Sequence, residues 1–314
     1  MMNNKFKSFQ RLAVAALVAT YFLIFVGALV RVSGAGLGCP DWPHCFGRWI
    51  PPTDISQLPP DMDPSDFNFV LAWIEYVNRL VGVVVGLLIA SVGIMAIAKL
   101  RKYKSLLVSS ILASILVAYQ GWQGSRVVAS ELEPLIVSVH MAIAFIIVSL
   151  LLYIVYQVHR ITHNSEYAPV YPPRIRLWTG ILLLAVMIQV ILGTQVRSAV
   201  EIAAEKFPLY SAAAWLDEAG MYGYIHSVLG IIIAAGGLYV ASRLLGKSIN
   251  PAPVVRPSAW ALMALIFVQT VFGIALYTAG LPGVVQVMHV GLAGMIIGLA
   301  MILFVATKPA GTRP

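Results

Sequence analysis

The sequence has 314 residues, of which 60% are apolar and only 11% charged, with a mean hydropathy of +0.86. So little polar surface cannot coat a soluble globule, and composition alone points to an integral membrane protein. The net charge of +8 is distributed among loops as a topology signal, and a nucleic-acid-binding stripe is excluded because it would need a soluble face that the chain lacks.

Eight stretches are long enough to cross a hydrocarbon core of about 30 Å, each needing about 20 apolar residues. They are predicted at 9–31, 72–98, 105–127, 135–157, 177–197, 221–244, 258–279 and 284–306. Helices are the expected spanning element, because backbone groups in lipid must be satisfied within the segment and nothing here alternates like barrel strands. The first stretch has the Lys5, Lys7, Arg11 flank of a signal peptide. It is too long for such an apolar region, and Arg31 with the Gly-rich turn after it is a poor cleavage site, so it reads as a retained helix. Basic residues cluster in alternate loops: Lys5, Lys7 and Arg11; Lys99, Arg101, Lys102 and Lys104; Arg160, Arg174 and Arg176; Arg243, Lys247 and Arg256; Lys308 and Arg313. Those loops and both termini are expected on the cytoplasmic side.

The loop at 32–71 is the longest of the outer ones and carries both cysteines, Cys39 and Cys45, with five residues between them. Outside the membrane a disulfide persists, and the intervening prolines favour the bend it needs. A zinc site is the weaker reading of this Cys-x5-Cys spacing with His44 nearby. Both a structural staple and a redox-active pair fit the chemistry, and a position at an exposed loop tip favours the redox-active one.

An internal repeat organises the rest. Val139-His140-Met141 and Met288-His289-Val290 each open an apolar run, with Gln120 and Gln269 both 20 residues earlier and Gly124 and Gly273 both 16 earlier. His226 precedes His289 by 63 residues, and the residue 62 before His140 is Asn78. The segment Tyr76–Gly82 corresponds to Tyr224–Gly230. Each half then has an even number of spans, so the expected architecture is two tandem four-helix bundles related by a pseudo-twofold axis along the membrane normal. The N-terminal bundle is expected over 1–157, a cytoplasmic linker over 158–176 and the C-terminal bundle over 177–314.

Cofactor sites in helix bundles are built from inward-facing side chains on facing helices. His226 and His289, at similar depth on two helices, suit the two axial positions of a heme iron. The small residues Gly223, Ser227, Gly230, Gly291, Ala293 and Gly294 offer either room for a macrocycle or close helix packing. The N-terminal half presents His140, Asn78 and Glu75, the last one turn outward of Asn78 on the same face. Glu75 reads as a chemical group, or as a carboxylate paired with Arg79 or Arg126. Arg31, Arg126 and Arg197 suit heme propionates or snorkelling. His159 and His163 lie among basic residues and read as interfacial.

Gly36-Leu37-Gly38-Cys39-Pro40-Asp41-Trp42-Pro43, the Glu75-Tyr76-x-x-Arg79 element, and the spaced His140, His226 and His289 together resemble the heme A synthase family of cytochrome oxidase assembly proteins over nearly the whole chain. The resemblance implies oxidation of the ring C8 methyl of heme O to a formyl group. It implies that His226 and His289 ligate a heme b cofactor, that His140 is an axial ligand to the heme O substrate, that Glu75 stabilises charge developing on the methyl carbon, and that Cys39 and Cys45 form a redox-linked disulfide. It also implies the cell inner membrane with the cysteine loop on the outer face. A heme O synthase, cytochrome oxidase assembly factors and the lipid bilayer are the implied partners, and a homo-oligomer is compatible. The family pattern has histidine where this chain has Asn78, so the substrate iron is expected to be five-coordinate unless water or another side chain such as His44 fills in. Two other classes fit the same residues: a non-catalytic heme-binding assembly factor and a di-heme b-type electron carrier.

Overall fold

The computed structural model describes residues 4–162, 169–246 and 249–308. His163, Lys247 and Arg313 lie outside the described residues. The helices are α1 (Asn4–Val32), α2 (Phe69–Lys99), α3 (Lys104–Ala129), α4 (Pro134–Thr162), α5 (Ile175–Lys206), the short α6 (Ala212–Asp217), α7 (Gly220–Leu245), α8 (Val255–Thr278) and α9 (Gly283–Ala306). All but α6 are long and apolar enough to span a bilayer, which gives the eight crossings expected from the sequence. This is an all-α integral membrane protein.

Most ends fall within a turn of the predicted ones, because the signals that set them are local. Asn68 caps α2 by accepting the Leu71 N–H at 3.1 Å, and Pro134 begins α4 where its missing N–H costs nothing. α1 begins at Asn4 rather than 9 and α4 runs to Thr162 rather than 157, and the largest difference is in α5, which continues to Lys206 rather than stopping at 197. Apolar counting ends where the polar residues begin, but Ala199, Ala203 and Ala204 favour helix, and an Arg197–Glu201 pair one turn apart supports it.

The helices close into two rings of contacts. In one, α1 packs on α2, α2 on α3, α3 on α4 and α4 back on α1; in the other, α5, α7, α8 and α9 do the same in that order. The rings meet through α1 with α9, α4 with α5, and α4 with α9. A twofold relation exchanging the rings would carry the first of these pairs into the second and the third onto itself, so the pattern is consistent with the repeat read from the sequence.

Glycines on α9 set how closely the rings approach. A Cβ on Gly291 would overlap the Phe25 ring from α1, one on Gly298 would overlap the Tyr21 hydroxyl, and one on Gly294 would come to 2.9 Å from Phe145 of α4. Gly291 and Gly294 therefore serve helix packing rather than room for a ligand, the second of the two readings their size allowed. At the end of the rings that carries the 33–68 loop, Arg31 donates from Nε to Glu201 on α5 at 3.0 Å and from Nη2 to Ser198 at 3.1 Å. Arg197 donates to the same carboxylate at 2.9 Å and to Gln286 of α9 at 2.6 Å. Arg31 and Arg197 stand four residues after Gly27 and Gly193, respectively. Two matched arginines thus share one glutamate across the seam.

Replacing Gly291 by alanine should overpack the seam and destabilise the protein by about 1–3 kcal/mol. Thermal unfolding in detergent should show the loss, and a double-mutant cycle with Phe25→Leu should show a coupling that two unrelated sites would lack.

Candidate functional site

A repeated polar arrangement inside the helices surrounds the histidines. His226 on α7 and His289 on α9 face each other with ring centroids 6.5 Å apart and planes tilted by 59°. Each is hooked from the neighbouring helix at its backbone: Gln189 of α5 donates to the His226 carbonyl at 2.7 Å, and Gln269 of α8 donates to the His289 carbonyl at 3.0 Å. Each ring lies over a glycine. A Cβ on Gly193 would stand 3.1 Å from His226 Cε1, and one on Gly273 would stand 3.5 Å from His289 Cε1. Among the described residues, the buried Nδ1 atoms of both rings have no hydrogen-bond partner.

These observations fit a heme iron. Two imidazoles on opposite faces of one metal, with metal–nitrogen bonds of about 2 Å, place their ring centres about 6 Å apart. The 6.5 Å separation matches that span.

The same device recurs around His140 on α4. Gln120 of α3 donates to the His140 carbonyl at 2.9 Å, and a Cβ on Gly124 would stand 3.7 Å from His140 Cε1. Here Nδ1 has a partner: it lies 2.9 Å from Gln123 Oε1. The fourth position is Asn78 on α2, which faces Gly27 of α1, where a Cβ would stand 4.0 Å from the amide oxygen. So all four positions have a glycine opposite, as the repeat requires. Three of these glycines follow a glutamine by four residues (Gln120, Gln189 and Gln269), while the fourth follows Leu23. Asn78 thus occupies a matched position that lacks the glutamine hook as well as the imidazole. Among the described residues no hydrogen bond reaches its side chain. His44 does not stand in for it; its ring packs edge-on against Trp49 with centroids 4.4 Å apart.

Glu75 is 3% exposed and held on both oxygens. Oε2 accepts the Cys39 N–H at 2.7 Å, and Oε1 accepts from Nε of Arg79 at 3.1 Å. Arg79 in turn donates to the carbonyls of Asp41 at 2.8 Å, His44 at 2.6 Å and Cys39 at 3.3 Å. Arg79, not Arg126, is therefore the glutamate's partner. Arg126 instead borders a cavity of about 340 Å³ with Pro40 and Trp42, between the loop and the end of α3.

Cys39 and Cys45 form a disulfide with Cα atoms 4.7 Å apart. Pairing leaves no thiolate for the zinc reading. The expected exposure at a loop tip is corrected: the cysteines are 0% and 1% exposed, packed with Phe46 and Ala72 in a small core of their own. The loop folds inward because Asp41 caps the Phe46 and Gly47 amides at 2.6 and 2.8 Å, and because Gly38 lies against the α2 backbone where a Cβ would overlap the Leu71 carbonyl. Farther along, hydrogen bonds from Ser56 and Ser65 hold the Asp54 and Asp63 carboxyls below the usual aspartate range.

Fold and site together define a polytopic helical membrane protein with paired imidazoles suited to heme in one half, and a single buried imidazole and a separately held buried carboxylate in the other. The chain matches the cytochrome oxidase assembly protein family over residues 10–301, and it belongs to that family. Among curated proteins it is similar to the heme A synthase of Shewanella oneidensis, 33% identical over 43% of this chain and 41% of that one. It is also similar to the heme A synthase of Alkalihalophilus pseudofirmus, 24% identical over 71% and 73% of the two chains, and to that of Bartonella tribocorum, 29% identical over 55% and 53%. The chain spans about half the length of the first curated relatives it matches, 41%, 46% and 50% of them.

Arg79→Met should leave the Glu75 carboxylate buried without its counter-charge, at a cost of about 3–5 kcal/mol. Thermal unfolding should report the loss, and adding Glu75→Gln should recover much of it, because a neutral amide strands no charge.

Proposed function

We propose that this protein is a heme A synthase, oxidising the C8 methyl of heme O to a formyl group for cytochrome oxidase assembly. The observation that carries the reading is the asymmetry of the four matched positions in a chain of this family. His226 and His289 stand ring to ring in one half, while the repeat pairs His140 with Asn78 and so gives the other half a single imidazole.

On this reading the C-terminal half, 177–314, holds a heme b between His226 and His289, and residues 158–176 join it to the N-terminal half, 1–157. A heme b bound there supplies one-electron transfer. Gln189 and Gln269 fix the two helices at the depth of the rings, and Gly193 and Gly273 keep the space beside them clear. The substrate heme O sits in the N-terminal half with His140 as axial ligand. Asparagine is a poor ligand for heme iron, so the face toward Asn78 stays free for water or oxygen.

With water as the oxygen source, the net change replaces C–H bonds of the methyl carbon by a C=O bond, the electrons passing to an external electron acceptor and the protons to solvent. Glu75, one helical turn from Asn78 on the same face, is the carboxylate that stabilises positive charge developing on that carbon, and in a water-poor site such stabilisation is strong. Its bonds to the Cys39 amide and to Arg79 hold that carboxylate still and tie it to the disulfide loop, so a change in the redox state of Cys39 and Cys45 would be felt at Glu75. The charge pattern supports a topology with this loop on the outer face of the cell inner membrane and both termini on the cytoplasmic side. A heme O synthase and oxidase assembly factors are the partners this chemistry requires.

Co-expression with a heme O-producing farnesyltransferase, followed by mass spectrometry of the extracted hemes, should show hydroxylated and formyl products; persistent heme O alone would overturn the synthase reading in favour of a heme-binding factor. His226→Ala or His289→Ala should abolish the low-spin heme spectrum of the purified protein. Glu75→Ala should stop product formation with that spectrum retained.

A further inference from the structure

We propose that Gln123 is a positioning residue for His140: it fixes the imidazole as the Nδ1–H tautomer, leaves Nε2 as the ring nitrogen with a free lone pair, and makes that nitrogen a stronger donor to a heme iron than a free imidazole would be. The inference rests on the reading of His140 as the ligand of the substrate heme.

The tautomer follows from the hydrogen bonds. Gln123 is 4% exposed and touches two groups from α4. Its Nε2 donates to the Ile136 carbonyl at 3.0 Å, and a carbonyl only accepts, so the amide nitrogen must face Ile136. Oε1 is then turned to His140 Nδ1, 2.9 Å away, and an amide oxygen also only accepts. Nδ1 must therefore carry the proton. A carbonyl-type acceptor on the far nitrogen of a ligating histidine orients the ring and raises its basicity.

This contact belongs to one position of the four. The residue just before the facing glycine is Gln123 here, and Val26, Leu192 and Phe272 at the matched places. Consistently, among the described residues His226 Nδ1 and His289 Nδ1 are buried without partners. The chain has placed its one donor-strengthening contact on the histidine whose opposite ligand position is asparagine. A lone axial ligand has to hold the iron by itself, and a polarised imidazole does so better than a neutral unpaired one.

The test uses the full-length protein in detergent, reduced and loaded with ferrous heme b as a probe, read by resonance Raman spectroscopy. The iron–histidine stretching band comes from five-coordinate ferrous heme, so a six-coordinate bis-histidine heme stays silent and its low-spin absorption reports that the variant is folded. The expected result is a band in the wild type that is lost in His140→Ala, shifted to lower frequency in Gln123→Leu and to higher frequency in Gln123→Glu, where a carboxylate replaces the amide. A residue that only filled space would not shift the band in opposite directions in the two variants. A band that survives His140→Ala, or no band in the wild type, would overturn the ligand reading itself. Loss of the band in His140→Ala with unchanged frequency in both Gln123 variants would overturn the role of Gln123 alone.

Discussion

An imidazole inside a close-packed helical bundle needs space cleared beside its ring and a fixed depth for the helix that carries it, and the apolar side chains around it supply neither. This chain meets that constraint with one small device used repeatedly. A glycine on the adjacent helix clears the volume beside the ring, and a glutamine one turn away hooks the backbone carbonyl of the histidine. The pairing fixes the depth of one helix against the next at the level where the ring must act. Much of the rest depends on it: the ring-to-ring contact order of the helices brings Gln-bearing α3, α5 and α8 beside His-bearing α4, α7 and α9.

Duplication makes the exceptions informative. At the Asn78 position the glycine remains but the glutamine has become Leu23 and the histidine has become asparagine. The space is kept and the ligand is not. In the same half, Gln123 contacts His140, and Glu75 is fixed by Arg79 and the Cys39 amide. The half with a single imidazole has an amide against that ring and a carboxylate locked to a disulfide loop, while in the other half two imidazoles face each other. On the proposed function, these differences favour chemistry in the first half and electron transfer in the second.

The seam between the halves is built differently from the sites. Gly291, Gly294 and Gly298 admit aromatic side chains from α1 and α4, and matched Arg31 and Arg197 converge on Glu201 beside Gln286. Close packing supplies most of the attachment in lipid, where there is no hydrophobic drive between helices. The charged cluster at one end fixes the relative height of the rings.

The sequence alone determined the class, the number of crossings, the repeat and the histidine positions, because each rests on a local signal: apolar runs of bilayer length, and identical residues at identical spacing. It paired Glu75 with Arg79 as one of two choices, since residues one turn apart on a helix must be neighbours. It did not show that Gly27 and Gly193 face Asn78 and His226, that Gly291 and Gly294 are packing contacts, that Glu201 gathers two arginines, or that Gln123 contacts His140. Nor did it show that the cysteine loop folds inward, because that depends on Asp41 capping amides beyond it and on Gly38 meeting α2. Each of these is a contact between segments far apart in the chain or on different helices. Spacing along one helix says which residues share its face, but only the packed bundle decides what that face meets.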